Sequence, residues 1–249
     1  MRIALLLSGQ IRQTSNCFES IRTKFIQNLG CDVFVSSWTP GGNFTHFIRH
    51  DSRTDSYSYD LKDVFSYLNP KSILLEDFES PSIQSLITKA WELDLHGPMN
   101  GESHPVGIVC MWYKIQSAFR LMENFEQNLG HKYDYVVKGR FDVDVLDEIN
   151  IEANPNYVMI PAGYDWRGGF SDIFAWGQRE PMGHYCNLYD NLDKYVYEEK
   201  VFFHPETLLK HHLINSSYGV KRPAIKMSLR GKNLWEYENY PENHKLLNE

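Results

Sequence analysis

A strand–helix–strand pattern over the first 37 residues constrains the fold more than any other feature of this sequence. Residues 2–8 form a continuous apolar run, which is typical of a strand buried on both faces. Residues 13–28 carry apolar side chains at helical spacing, and Gly30 ends that helix. Residues 31–37 form a second apolar strand. Because two consecutive strands joined by a helix run parallel, the chain is expected to build a parallel α/β sheet.

The rest of the chain carries further strands and helices, and the second half has a more mixed character. Further strands are predicted over residues 72–75, 133–139, 157–160, 172–176 and 220–227. Further helices are predicted over residues 61–68, 80–93, 106–128, 181–190 and 205–214, and polar loops over 39–60 and 96–105. We therefore expect one α/β domain over residues 1–249, with a Rossmann-like, mostly parallel central sheet flanked by helices.

Composition and charge exclude several classes of protein. The net charge is −7, whereas a nucleic-acid binder normally carries a basic surface. No apolar run reaches the ~18 residues of a membrane-spanning helix, and the run over residues 3–7 is too short for a signal peptide. The four cysteines form no CxxC pair, which argues against a zinc knuckle. The sequence therefore predicts a cytoplasmic protein with reduced thiols, no transmembrane segment and no nucleic-acid partner.

The segment Asp142-Val143-Asp144 is the strongest chemical signal in the sequence. It is the only D-x-D, and it directly follows the strand predicted over residues 133–139, where ligands bind in open α/β sheets. Side chains two residues apart in an extended chain point the same way, so Arg140, Asp142 and Asp144 are expected on one face. A Mg²⁺ or Mn²⁺ ion held by these carboxylates and by substrate phosphates would account for them. The alternative is a surface turn with an Arg–Asp ion pair.

Several segments resemble a known enzyme family. Residues 112–144 read WYKIQSAFRLMENFEQNLGHKYDYVVKGRFDVD. They resemble the part of glycogenin-like and related GT-A glycosyltransferases in which a helix with a basic residue leads to a strand ending in D-x-D. The segments LLLSGQIRQ, DVFVSSW, GGFSDIFAWG and HPETLLKHHL further resemble glycosyltransferase-like proteins of bacterial and viral surface-polysaccharide clusters. The resemblance implies a single GT-A domain, with a nucleotide-binding half over residues 1–145 and an acceptor half and C-terminal tail over 146–249.

The resemblance implies a donor, an acceptor and a metal ion. The donor would be a nucleotide sugar, and the acceptor a glycan or a lipid-linked saccharide. Asp142 would contact the ribose or the metal ion, and Asp144 would ligate Mn²⁺ or Mg²⁺. Lys114 would approach the ribose or the diphosphate. Arg140 departs from the glycogenin pattern, but its spacing from Asp142 and Asp144 predicts it in the same donor site. The simpler alternative for Lys114 is an amphipathic helix from which its side chain reaches solvent.

The turn after the first strand is expected to complete the nucleotide pocket. In a parallel sheet this turn lies at the ligand-binding edge, so Ser8, Gly9 and Arg12 are predicted to hold the base and its ribose. The simpler alternatives are that Gly9 only ends the strand and that Arg12 caps a helix or pairs locally.

Asp172 is the predicted catalytic base on the acceptor side, if the enzyme inverts the sugar configuration. It follows Gly168 and Gly169, whose flexibility would let the backbone approach a sugar closely, and it begins a predicted strand. The alternative is an ordinary turn with Asp172 as its cap. Asp165 and Glu206 are weaker rivals, because Glu206 with its neighbouring proline fits a helix start.

Other charged residues have plain structural interpretations beside a functional one. His204 fits the same helix start as Glu206, and His211 and His212 are expected on a solvated helix face. A basic cluster near the C-terminus could close over a diphosphate or meet a phosphorylated acceptor, or it could be a solvated tail. Its members are Lys221, Arg222, Lys226, Arg230 and Lys232.

Two other functions compete with glycosyl transfer. A sugar nucleotidyltransferase would share the metal-binding carboxylates, but it needs a Gly-rich phosphate loop near the start, where LSGQIRQT has one glycine. A non-enzymatic carbohydrate-binding protein needs neither a nucleotide nor a metal ion. Serine hydrolysis has no support, since the sequence contains no GxSxG.

Overall fold

Most strands and helices lie close to where the sequence predicts them. A computed structural model describes residues 1–11, 15–39, 61–96, 104–151, 156–229 and 232–233. The strands are β1 (Ile3–Ser8), β2 (Asp32–Trp38), β3 (Ser72–Glu76), β4 (Tyr135–Gly139), β5 (Val143–Val145), β6 (Tyr157–Met159), β7 (Ala175–Gln178), β8 (Gly219–Lys221), β9 (Met227–Leu229) and β10 (Lys232–Asn233). The α-helices are α1 (Ser15–Ser20), α2 (Leu61–Leu68), α3 (Pro81–His96), α4 (Pro105–Leu129), α5 (Arg179–Cys186) and α6 (Pro205–Ile214).

Three short helical segments extend or follow these helices. A π-helix over Ile21–Asn28 continues α1, so the predicted helix over residues 13–28 is present from Ser15 onwards with two kinds of winding. A 3₁₀ helix over Asn187–Asn191 and a π-helix over Lys194–Glu198 follow α5. The predicted loops over residues 39–60 and 96–105 lie mostly outside the described residues.

A seven-stranded sheet organises the chain, in the order β3-β2-β1-β4-β7-β6-β8. The pairs β3–β2, β2–β1, β1–β4 and β6–β8 are parallel. Strand β7 pairs antiparallel with both β4 and β6, so it alone runs against the others in this sheet. The expectation of a mixed α/β domain with a mostly parallel central sheet is therefore confirmed, and the sheet is compatible with a Rossmann-like fold.

Burial on both faces explains the continuous apolar run of β1. Ala4 and Leu6 pack into one apolar layer, whereas Leu5 and Leu7 pack into the other. All six residues of β1 are buried, because helices cover the sheet on both sides. The longest helix, α4, supplies one covering face and buries Trp112 and other apolar side chains against the sheet.

The ends of α4 follow from local chemistry. Pro105 occupies its first turn, where the missing backbone N–H costs no hydrogen bond. Gly130 ends it in the left-handed conformation and donates its N–H to the carbonyl of Glu126 at 3.0 Å.

The last predicted strand, over residues 220–227, is wrong as one element. Its two ends belong to strands in different sheets, because β8 extends the large sheet and β9 pairs with β5 and β10 in a small second sheet, and residues 222–226 between them form no strand. Pro223 lies between them and has no N–H for a ladder, so the chain leaves the first sheet there. The strand predicted over residues 172–176 also shifts, since β7 begins at Ala175.

Two further expectations can be compared with the described residues. The four cysteines are buried and none forms a disulfide. None of the described helices has both the length and the apolarity that crossing a membrane requires.

Candidate functional site

The sheet topology brings separate predicted site residues to one edge. Strands β1 and β4 are parallel neighbours, with Leu7 opposite Gly139, so Ser8 and Arg140 leave the sheet side by side. Strand β7 runs the other way and pairs Ala175 with Lys138. Its start therefore lies at the same edge as the end of β4. The segment that carries Asp172 precedes β7, so three distant parts of the sequence meet there.

The turn after β1 is held by the neighbouring strand. Gly9 has a φ of +97°, a conformation that glycine adopts without the steric cost of a side chain. Its N–H donates to the carbonyl of Ser36 at 3.0 Å, and the Ser37 hydroxyl donates to its carbonyl at 2.7 Å. Ser8 is buried at the end of β1. Arg12 lies outside the described residues.

Lys114 is buried rather than extended toward solvent. Its ammonium donates to the carbonyl of Ser37 and to the carboxylate of Glu76, both at 2.7 Å, and lies 3.9 Å from the centre of the Trp38 ring. Burial lowers the pKa of Lys114, and the Glu76 carboxylate opposes this effect. Lys114 therefore fixes the ends of β2 and β3, and it reaches the Gly9 turn only through Ser37.

The two acids of the D-x-D segment have different environments. Asp142 is buried and accepts two hydrogen bonds from Arg140, at 2.9 Å from Nε and 3.0 Å from Nη2. Burial opposes the charge of Arg140, but the Asp142 carboxylate raises the pKa of the guanidinium. Asp144 is half-buried on β5, opposite Ser228 of β9. The Arg–Asp pair that the sequence left open is thus present, with Asp142 buried and Arg140 half-buried.

Asp144 is the member of the pair that suits a metal ion better, because both oxygens of Asp142 already accept hydrogen bonds from Arg140. The described residues contain no group of three or more His, Cys, Asp or Glu side chains that could hold a metal ion. A divalent ion at Asp144 would therefore need oxygen ligands from a bound phosphate and from water, which Mg²⁺ commonly uses in proteins.

Asp172 lies in a buried polar cluster at the end of β4. The Lys138 ammonium donates to the backbone carbonyls of Asp172 and Ile173. Burial lowers the pKa of Lys138 to about 8, and the charges of Asp172 and Asp142 partly offset that effect. The backbone at Asp172 is therefore anchored independently of its carboxylate, which leaves the carboxylate available for other contacts.

Asp165, the nearest rival to Asp172, has a structural role. Its carboxylate accepts the Ser171 N–H at 2.9 Å and an Arg222 N–H at 2.5 Å. Arg222 also donates to the carbonyls of Ile160 and Pro161, each at 3.0 Å. The pair therefore joins the glycine-containing loop over residues 163–169 to the end of β6.

Glu206 begins α6 as predicted, but its side chain is buried. Burial, reinforced by the charge of Asp172, raises the pKa of Glu206 to about 9. Burial also lowers the pKa of His204, which precedes the helix. The sequence pattern explains why the helix starts here. It gives no signal of this burial, which depends on packing against the loop over residues 163–169.

That loop packs directly on the start of α6. The Phe170 N–H donates to the carbonyl of Glu206 at 3.0 Å, and the Lys210 ammonium donates to the carbonyl of Gly168 at 2.9 Å. A side chain at Gly169 would overlap the backbone of Glu206 and Thr207. Close approach of two backbones, rather than loop flexibility, is therefore what requires glycine at this position.

Gly169→Ala is expected to destabilise the protein by about 3 kcal/mol, because the added methyl group has no space beside the α6 backbone. Gly168→Ala is the matched control. Gly168 has a φ of +66° and open space around it, so it should lose only the ~1 kcal/mol of left-handed strain. Urea unfolding of both variants measures the difference. Equal losses would contradict this account of the loop.

The remaining predicted residues differ in their burial. The prediction of a solvent-exposed position is wrong for His212, because α6 packs this face against α5 and buries it. The His212 ring is hydrogen-bonded to the Tyr195 hydroxyl at 2.7 Å. Burial lowers the pKa of His212 to about 4. In the basic cluster, Arg222 is buried and Lys221 is half-buried. The ammonium of Lys221 lies 4.9 Å from the centre of the Tyr157 ring. Arg230 lies outside the described residues, as does the side chain of Lys232.

Comparison with known proteins assigns no family to this arrangement. No protein-family model matches the chain. A search of curated proteins likewise gives no significant match. The functional argument therefore rests on the residues that meet at the end of β4.

Proposed function

We propose that the protein is a glycosyltransferase of the GT-A type, which moves a sugar from a nucleoside-diphosphate sugar to a hydroxyl of a glycan or a lipid-linked saccharide. The observation that carries the proposal is the meeting of three segments at one edge of the sheet. These are the turn at Ser8 and Gly9, the segment over residues 140–144, and Asp172. In open α/β sheets, this edge is where ligands bind.

The donor half of the site combines a glycine turn with a fixed guanidinium. Asp142 uses Nε and one Nη2 hydrogen of Arg140, whereas a guanidinium carries five N–H donors. A guanidinium held in this way suits recognition of diphosphate oxygens. Gly9, at the adjacent strand end, lets a nucleotide approach the backbone closely.

The reaction needs a base on the acceptor side if the configuration inverts. The acceptor oxygen forms a bond to the anomeric carbon, the bond from that carbon to the diphosphate breaks, and the acceptor proton passes to the base. Asp172 is the proposed base, since its backbone is anchored by Lys138 and its side chain lies at the edge that carries the donor residues.

Asp144 is the proposed ligand of a Mn²⁺ or Mg²⁺ ion, together with the donor phosphates. When bound, such an ion would neutralise the negative charge that grows on the leaving diphosphate. Arg140 would contribute a fixed positive charge to the same group, because its pairing with Asp142 holds it in place.

A thermal-shift screen with and without Mn²⁺ tests the proposal. A nucleoside diphosphate at ~100 times its Kd should stabilise the protein by about 2.7 kcal/mol, which raises Tm by roughly 5–10 °C for a chain of this size. The shift should require the metal ion. A selective response to nucleoside triphosphates would favour a sugar nucleotidyltransferase instead. Stabilisation by saccharides but by no nucleotide would favour a carbohydrate-binding protein.

A further inference from the structure

Three buried polar atoms near Asp172 have no hydrogen-bond partner among the described residues. They are Oε2 of Glu206, Nδ1 of His204 and the hydroxyl of Tyr185. The side chains are 7%, 5% and 0% exposed, respectively. Most buried polar groups in native proteins have a hydrogen-bond partner, because a buried group without one is destabilising. Three such atoms in one region indicate a ligand that supplies the missing hydrogen bonds.

All three groups lie close enough to Asp172 to feel its charge. The charge of Asp172 acts on the pKa of Tyr185, of His204 and of Glu206. Tyr185 comes from helix α5, and His204 and Glu206 come from the start of α6, while Asp172 precedes β7, so three parts of the chain contribute. Packing of the loop over residues 163–169 on α6 holds the start of that helix in place. The cluster is therefore a built site rather than a property of one helix end.

The charges in this region are balanced when Glu206 is neutral. Arg140 pairs with Asp142, and Arg222 pairs with Asp165. Lys138 is bonded to the backbone at Asp172, whose carboxylate balances it. With its pKa raised to about 9 by burial and by Asp172, Glu206 carries a proton at neutral pH and can donate it in a hydrogen bond. A ligand that adds no charge fits this balance best.

We propose that Glu206, His204 and Tyr185 form a subsite that binds the hydroxyl groups of a neutral saccharide beside Asp172. A sugar hydroxyl both donates and accepts, so it can satisfy an acid, an imidazole nitrogen and a phenol together. The choice of a saccharide acceptor rests on the proposed function. Hydroxyl recognition itself rests on the three unpartnered atoms.

The test uses methyl glycosides of glucose, galactose, mannose and N-acetylglucosamine as probes, with the full chain and no nucleotide, by saturation-transfer NMR. The parent protein should bind at least one probe. Glu206→Gln keeps a neutral donor of similar shape, so its affinity should stay within about threefold of the parent. Glu206→Leu removes both donor and acceptor, so its affinity should fall about tenfold.

Glu180→Gln is the matched control, since Glu180 is the second residue of α5 as Glu206 is of α6, but it is exposed. This variant should bind the probes like the parent. Glu206→Gln is also expected to fold at neutral pH, because it removes the need to keep a buried acid protonated. A raised pKa in the folded state gives stability that is complete below the unfolded value and declines as pH rises toward 9.

The pH dependence of probe binding shows whether Glu206 acts as a neutral hydrogen-bond donor or has only a structural role. Probe binding by the parent should weaken between pH 8 and 10 as Glu206 ionises, while Glu206→Gln should lack that component. Lys138 titrates in the same range, but it is present in both proteins. The other charged groups that act on Glu206 are Asp172, Asp165 and Arg222, and Glu206 in turn acts on Tyr185.

The outcomes separate this proposal from the proposed function. Failure of every glycoside to bind, or unchanged binding by Glu206→Leu, overturns the subsite even if a nucleoside diphosphate binds with Mn²⁺. Glycoside binding that depends on Glu206 supports the subsite even if no nucleotide binds, in which case glycosyl transfer is wrong.

Discussion

Asp172→Asn is expected to lower the turnover of sugar transfer by about 10²–10⁴-fold, the usual contribution of a general base. Donor affinity should stay within about twofold, because the lost contact forms only as the acceptor proton moves. The fold should survive, since Lys138 anchors the backbone carbonyl of Asp172 rather than its carboxylate. Steady-state kinetics with a labelled donor, together with a separate binding measurement, checks both parts.

Asp165→Asn serves as the comparison for Asp172. Asp165 bonds the Ser171 N–H and Arg222, so its replacement should loosen the loop over residues 163–169 and lower turnover less. Its Tm should fall more than that of Asp172→Asn. Weaker nucleotide binding by Asp172→Asn with turnover intact would move Asp172 to the donor site. Unchanged binding and turnover would leave it a purely structural role.

The parts of the fold that the sequence predicted depend on local patterns. The run over residues 2–8 indicated a strand buried on both faces, and β1 lies inside the seven-stranded sheet. Parallel order followed from strand–helix–strand spacing, so the edge that unites Ser8 with Arg140 was predictable. The apolar pattern of residues 220–227 does not reveal their division between two sheets, whereas Pro223, which cannot donate a ladder hydrogen bond, marks it.

The environment of polar side chains could not be predicted in the same way. His204, Glu206 and His212 lie in a pattern that describes an ordinary helix start and a solvated face. Their burial depends on the contacts that loop residues 163–169 and helix α5 make with α6, which are distant in sequence. Likewise, D-x-D spacing puts two carboxylates on one face, but it does not tell which one Arg140 engages.

Because Asp142 and Asp144 have different environments, replacing each of them should affect a different property of the protein. Asp144→Asn should abolish the Mn²⁺-dependent part of nucleoside-diphosphate binding, because a half-buried carboxylate is replaced by a much weaker metal ligand. Stability should change by no more than ~0.5 kcal/mol, as is usual for substitutions that break no buried contact. Titration calorimetry with and without Mn²⁺ measures the first effect, and urea unfolding measures the second.

Asp142→Asn should instead lower stability while nucleotide binding stays dependent on the metal ion. It weakens the acid that accepts two hydrogen bonds from Arg140, at 2.9 and 3.0 Å, so stability should fall by about 2–3 kcal/mol. Metal dependence should be retained, although nucleotide affinity falls as the guanidinium loses its fixed position. Asp190→Asn, an exposed change on a distant helix, should affect neither property. If Asp144→Asn binds nucleoside diphosphate and Mn²⁺ as tightly as the parent, Asp144 holds no metal ion and the donor site depends on Arg140 alone.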